Sequence, residues 1–164
     1  MIGQNVQGAC AKAFVIILFG AFLPLLKALP IITDKEISDS TNTSDWLAYG
    51  RTHNEQRYSP LDQINLKNVS QLGVEWYLNL PNDVGLVATP LVSEGILYFV
   101  GTMNIIRAVD ARSGKILWIY DPEVGQAIAG RKQVGYVHNR GLSIYGDKLF
   151  LSTWDGRLIA LNIK

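Results

Sequence analysis

The chain has 164 residues, with 15 Lys or Arg against 14 Asp or Glu and a net charge of +1. That length suits one ordinary domain, and the charge balance leaves no basic footprint for nucleic acid and no polybasic membrane patch. With one cysteine, Cys10, internal disulfides and cysteine-based zinc sites are excluded.

Residues 1–30 form a separate block. Ala13 to Leu26 is an apolar run of 14 residues preceded by Lys12. A membrane span needs about 20, so the run suits the apolar region of a signal peptide, with a retained membrane anchor as the other reading. Cys10 precedes the run and does not read as a lipoprotein cysteine. Either way the remainder is expected to be exported. Residues 31–44 then read as a polar linker, since Asp34 to Ser44 (DKEISDSTNTS) has little to bury.

From Asp45 onward the punctuation is that of short strands and turns. Arg57 to Leu61 is extended into Pro60. Asn65 to Leu72 predicts a helical turn, and Val74 to Leu80 alternates as a strand would. Four strands follow: Thr89 to Val92, Ile96 to Val100 after a Glu94-Gly95 turn, Ile105 to Val109, and Ile116 to Tyr120 after a Ser113-Gly114 turn. This is one four-stranded up-and-down unit. A second begins at Leu142 to Ile144, turns at Gly146-Asp147, continues as Lys148 to Thr153, turns at Asp155-Gly156 and ends with Arg157 to Ile163.

The two units are related. Trp76 and Trp118 lie 42 residues apart, within the period of about 40–45 expected of a propeller blade. Gly95 aligns with Gly146 and Ala108 with Ala160, the wider offset matching a long insertion over Asp121 to Asn139. The fold class is therefore all-β, a partial β-propeller of about two blades, with Trp76 and Trp118 as packing plugs; the alternative is a small β-sandwich. Trp154-Asp155 is the one Trp-Asp pair, and Asp155 is better explained by the hairpin turn than by a WD40 signature. The second copy of the AVDARSGKILW motif starts at Leu158 (LIALNIK) and reaches Lys164 before its turn and Trp. Residues 45–164 are thus expected to be the opening blades of a larger array, truncated at the C-terminus.

Several motifs in order carry a family resemblance. The stretch DWLAYGRTHNEQRYSPLDQINLKNVSQLGVEW (Asp45 to Trp76), the block TPLVSEGILYFVGT with AVDARSGKILW (Thr89 to Trp118), and Asn139-Arg140-Gly141 followed by Thr153-Trp154-Asp155-Gly156-Arg157 resemble pyrroloquinoline quinone (PQQ)-dependent alcohol and glucose dehydrogenases. The resemblance implies an eight-bladed propeller, periplasmic or otherwise exported. It implies oxidation of a small alcohol or sugar by PQQ beside calcium or a lanthanide, with electrons passed to an acceptor.

Carried over residue by residue, the resemblance assigns one cofactor-binding residue, Arg140, matching the family arginine at the quinone oxygens. A guanidinium there stabilises charge developing on an ortho-quinone. The plainer reading of Arg140 is a strand-end cap or a partner for a carboxylate such as Asp147. Two positions depart from the alcohol-dehydrogenase pattern. Val87 stands where a glutamate is found, and Val134 and Gly135 stand where adjacent cysteines form a ring over the quinone. No metal ligand and no catalytic residue is assigned to this chain, because the family's lie in later blades. Asp110, Asp121 and Glu123 read as solvated turn residues; His53 and His138 read as surface or turn histidines, His138 being close to Asn139-Arg140. The expected function is that of a piece of an exported PQQ-dependent dehydrogenase, inactive as 164 residues alone. The rival is a non-catalytic PQQ-repeat propeller acting as an envelope scaffold, which Val87 favours and the Asp45–Leu61 opening disfavours.

Overall fold

The computed structural model describes residues 31–81, 83–130 and 138–163; the apolar segment at residues 1–30 therefore lies outside the described residues. No described helix is long and apolar enough to cross a membrane. The elements are α1 (Asp34–Ser38), β1 (Leu91–Ser93), β2 (Ile96–Val100), β3 (Ile106–Asp110), β4 (Ile116–Tyr120), α2 (Val124–Ala127), β5 (Ser143–Tyr145), β6 (Lys148–Ser152) and β7 (Leu158–Asn162). Strands β1 to β4 form one antiparallel sheet in sequential order, and β5 to β7 form a second. These are two successive blades of a propeller. β2 and β4 fall on the predicted residues, and the predicted turn near Asn65 to Leu72 is a single 3₁₀ turn at Val69–Gln71.

Period-two alternation decides which face is buried. Tyr98 pairs with Ala108 and Val100 with Ile106; Ala108 pairs in turn with Trp118 and Ile106 with Tyr120. This face meets Ile144, Leu149 and Leu151 of the second blade in one core. Each fully buried aliphatic side chain there contributes roughly 1.5–3 kcal/mol. Trp118 packs against Tyr98 with ring centroids 6.0 Å apart, so it is the plug its spacing suggested.

Trp76 docks differently. Its indole N–H donates to the Ala111 carbonyl at 3.2 Å, and its ring lies against Gly114 in the β3–β4 turn. Asp110 builds that turn by accepting from the Ser113 amide and hydroxyl, each at 2.7 Å.

Two expectations are corrected. Val74 to Leu80 is extended but pairs with no strand among the described residues. Its alternation gives it one apolar side, Trp76, Leu78 and Leu80, which lines an apolar hollow with Leu97, Phe99 and Val109. The opposite side leaves Tyr77 exposed, and Val74, ahead of Trp76, is exposed as well. An apolar face is enough to dock a segment, but a ladder needs a free neighbouring edge. The stretch at 31–44 is no loose linker. Ile32 and Ile37 join the core, and Ile32 exchanges backbone hydrogen bonds with Gly146 at 3.1 and 2.7 Å. A Thr33–Glu36 capping box starts α1, and the buried Arg51 guanidinium donates to the Ser40 and Asn42 carbonyls at 2.9 Å each. Two isoleucines in a polar stretch were enough to anchor it.

Trp46 then forms a two-way backbone bridge with Val92, at 2.8 and 2.9 Å, on the free edge of β1.

Candidate functional site

The two blades are joined where their inner strands begin. The Thr89 amide donates to the Arg140 carbonyl at 3.0 Å, within a parallel bridge between Thr89 and Gly141. Asn139 fixes the same turn with both ends of its amide. Its Oδ1 accepts from the Gly141 N–H at 2.9 Å, and its Nδ2 donates to the Ser152 carbonyl at 2.7 Å. The backbone of Arg140 is thus held from three sides: by the first blade, by β6 and by its own turn.

A cleft of about 690 Å³ opens over this junction. Tyr49, His138, Arg140, Ser152, Thr153 and Trp154 are among its lining residues, and no Asp or Glu is. Trp154 presents a half-exposed indole whose N–H donates to the His138 carbonyl at 2.8 Å, while its own amide is held by buried Asn104 at 3.0 Å. Arg140 is exposed on this cleft. Asp147 pairs with Lys148 at 2.9 Å, and among the described residues no carboxylate forms an ion pair with Arg140.

Tyr49 is the residue that sequence reasoning passed over. The Arg57 guanidinium stacks on its ring, 4.1 Å from the centroid, and the Arg57 amide donates to the Gly50 carbonyl at 3.1 Å to close that loop. Hydrogen bonding and charge from Arg57, and more weakly hydrogen bonding from Thr89 and the charge of Arg140, hold the Tyr49 phenol below its ordinary pKa. Its signal was its place in the quoted opening motif; what hid it was the distance of some 90 residues between that motif and Arg140.

The other candidates have local explanations. Val87 is half-exposed, and Val134 and Gly135 lie outside the described residues. Asp110 and Asp121 accept from backbone amides within their own turns. Asp155 accepts from Arg157 Nε at 2.8 Å and from the Thr153 hydroxyl, as a turn residue should. His53 is exposed, 3.7 Å from Asp34, whereas His138 is half-buried and lines the cleft. Among the described residues no group of three or more His, Cys, Asp or Glu is placed to hold a metal ion.

Comparison with known proteins agrees with this architecture. The family model for the β-propeller domain of PQQ glucose/ethanol/alcohol dehydrogenases matches residues 46–164. Quinohemoprotein alcohol dehydrogenase ADH IIB of Pseudomonas putida is 49% identical over 120 residues, covering 73% of this chain and 17% of that protein. Among solved structures, quinohemoprotein alcohol dehydrogenase ADHIIG from Pseudomonas putida HK5 superposes with a TM-score of 0.75 at 38% identity, over 82% of this chain and 20% of that one. A europium-containing methanol dehydrogenase superposes with a TM-score of 0.68 at 33% identity, over 79% of this chain and 23% of that one. The chain thus spans about a sixth to a fifth of the length of the curated relatives it matches.

Proposed function

Since the chain belongs to the β-propeller family of PQQ-dependent glucose, ethanol and alcohol dehydrogenases, we propose that the cleft over the blade junction is its share of a PQQ site, with Arg140 as the cofactor-binding residue. The carrying observation is the Thr89–Arg140 junction, which places Arg140, without an ion-pair partner among the described residues, on a cleft whose described lining has no carboxylate. The donor set fits the group. PQQ is a planar polycarboxylate with an ortho-quinone, and a fixed cation, amide and hydroxyl donors and an exposed indole face suit such a ligand. When bound, PQQ supplies the two-electron acceptor for oxidation of an alcohol or sugar to its carbonyl. Arg140 orients that acceptor and stabilises negative charge growing on its oxygens.

The complete gene product is proposed to be an exported, periplasmic alcohol dehydrogenase passing electrons to a separate acceptor. The described residues offer no set that fits calcium or a lanthanide. These 164 residues alone are proposed not to turn over. The test is dye-linked alcohol oxidation by the complete gene product loaded with PQQ, with and without added metal salts. Activity that Arg140→Gln lowers at least tenfold supports the reading; equal activity in both forms contradicts it. Val87 favours a second reading, a non-catalytic propeller that uses the same blades as a scaffold. PQQ-independent assembly with no oxidation of any alcohol or sugar would support it.

A further inference from the structure

The opening motif has no role in the reading above, yet the fold carries it to the cleft. An isolated antiparallel bridge between Trp46 and Val92 holds the segment that leads into the turn at Tyr49 and Gly50 beside β1. From that turn the Tyr49 side chain reaches Thr89, at the blade junction. Its ring lines the cleft together with Arg140. The loop after it returns through the Arg57 N–H to Gly50 carbonyl bond, which seats the Arg57 guanidinium 4.1 Å over the same ring.

We propose that Tyr49, backed by Arg57, is a second ligand-binding group of this cleft, donating its hydroxyl to an anionic oxygen of the bound planar ligand beside Arg140. A phenol is a neutral donor, so it adds a directed bond to a carboxylate or quinone oxygen with less desolvation than a third charge would need. Arg57 serves as a positioning residue: its cation lies over the ring face and polarises the O–H. The lowered pKa of the phenol has the same origin and makes it a stronger donor to an anion. Tyr49 is 42% exposed and lines the cleft, so a bound ligand can reach it.

This proposal rests on PQQ occupying the Arg140 cleft, and the test separates the two. The apo form of the complete gene product is titrated with PQQ, following quenching of tryptophan emission and the absorption band of the bound quinone. Wild type is compared with Tyr49→Phe, Arg57→Lys, Arg57→Gln and Arg140→Gln. We expect Arg140→Gln and Tyr49→Phe each to weaken PQQ binding roughly tenfold, the loss of one hydrogen bond to a charged group. Tyr49→Phe is also expected to shift the bound quinone band at an unchanged unfolding temperature. Arg57→Lys should bind more tightly than Arg57→Gln. Tyr49→Phe binding within twofold of wild type, with Arg140→Gln weakened, overturns the role of Tyr49 and leaves the Arg140 site standing. PQQ affinity that Arg140→Gln does not change overturns the Arg140 reading, and this proposal with it.

Discussion

Thr89 and Arg140 share one hydrogen bond, amide to carbonyl at 3.0 Å, and through it the two blades meet at the mouth of the cleft. The pairing is parallel, so both inner strands leave the junction in the same direction. Tyr49, Arg140 and Trp154 line one cleft there although they come from three regions of the chain.

Asn139 is expected to matter for Arg140 more than for the fold. Asn139→Ala removes the bonds to Gly141 and to Ser152. The predicted cost is about 1–3 kcal/mol of stability, with PQQ affinity falling alongside as the Arg140 backbone loosens. Urea unfolding and a PQQ titration on one preparation check it; affinity unchanged at lower stability would make Asn139 structural only.

A buried ion pair ties Asp83 to the first blade. Arg107 Nη2 lies 2.7 Å from Asp83 Oδ2, with side chains only 8% and 4% exposed, and Asp83 Oδ1 accepts from the Thr102 amide at 2.5 Å. Removing one partner strands the other charge, so Asp83→Ala is expected to cost about 3–5 kcal/mol, and an apolar replacement of both residues much less. Gly101→Ala should act through the same pair, since a Cβ there would run into both Asp83 and the Arg107 guanidinium. Denaturant midpoints of the three variants decide this.

Gly114 serves the Trp76 dock. Its φ of +72° disfavours any side chain, and an added Cβ would sit 2.6 Å from the Trp76 ring. Gly114→Ala is predicted to lose roughly 1–2 kcal/mol from the backbone alone and to expose the indole. A red shift of the emission lost in a Trp76→Phe control would locate the change; an unshifted spectrum would contradict it.

Tyr98 sets an alkaline limit. Burial pushes its phenol from 10.0 up to about 12, and its hydroxyl donates to the Ile163 carbonyl at 3.3 Å. The folded pKa is raised, so the stabilisation is full below pH 10, where both states hold the proton. It is lost as pH climbs through the folded value near 12, because the unfolded chain releases its proton first. Stability should fall between pH 10 and 12, and Tyr98→Phe should flatten that fall.

Much of this was legible in the chain because hairpins announce themselves locally. Alternation, Gly-containing turns and the Trp76 to Trp118 spacing give the blades nearly residue by residue. Ile32 and Ile37 were missed because two apolar residues in a polar stretch are too weak a pattern to signal burial. Val74 to Leu80 was misread because alternation reports a half-buried extended segment, not whether an edge exists to pair with it. Arg140 was found by resemblance, whereas Tyr49 could not be: its role depends on a bridge between Trp46 and Val92, a pairing no local pattern encodes.

The most direct test of the central claim is a crystal structure of the complete gene product grown with PQQ. The account predicts quinone or carboxylate oxygens within about 3 Å of the Arg140 guanidinium, the ring system lying in the cleft between Tyr49 and Trp154. Density for PQQ elsewhere, with Arg140 facing solvent, would contradict it.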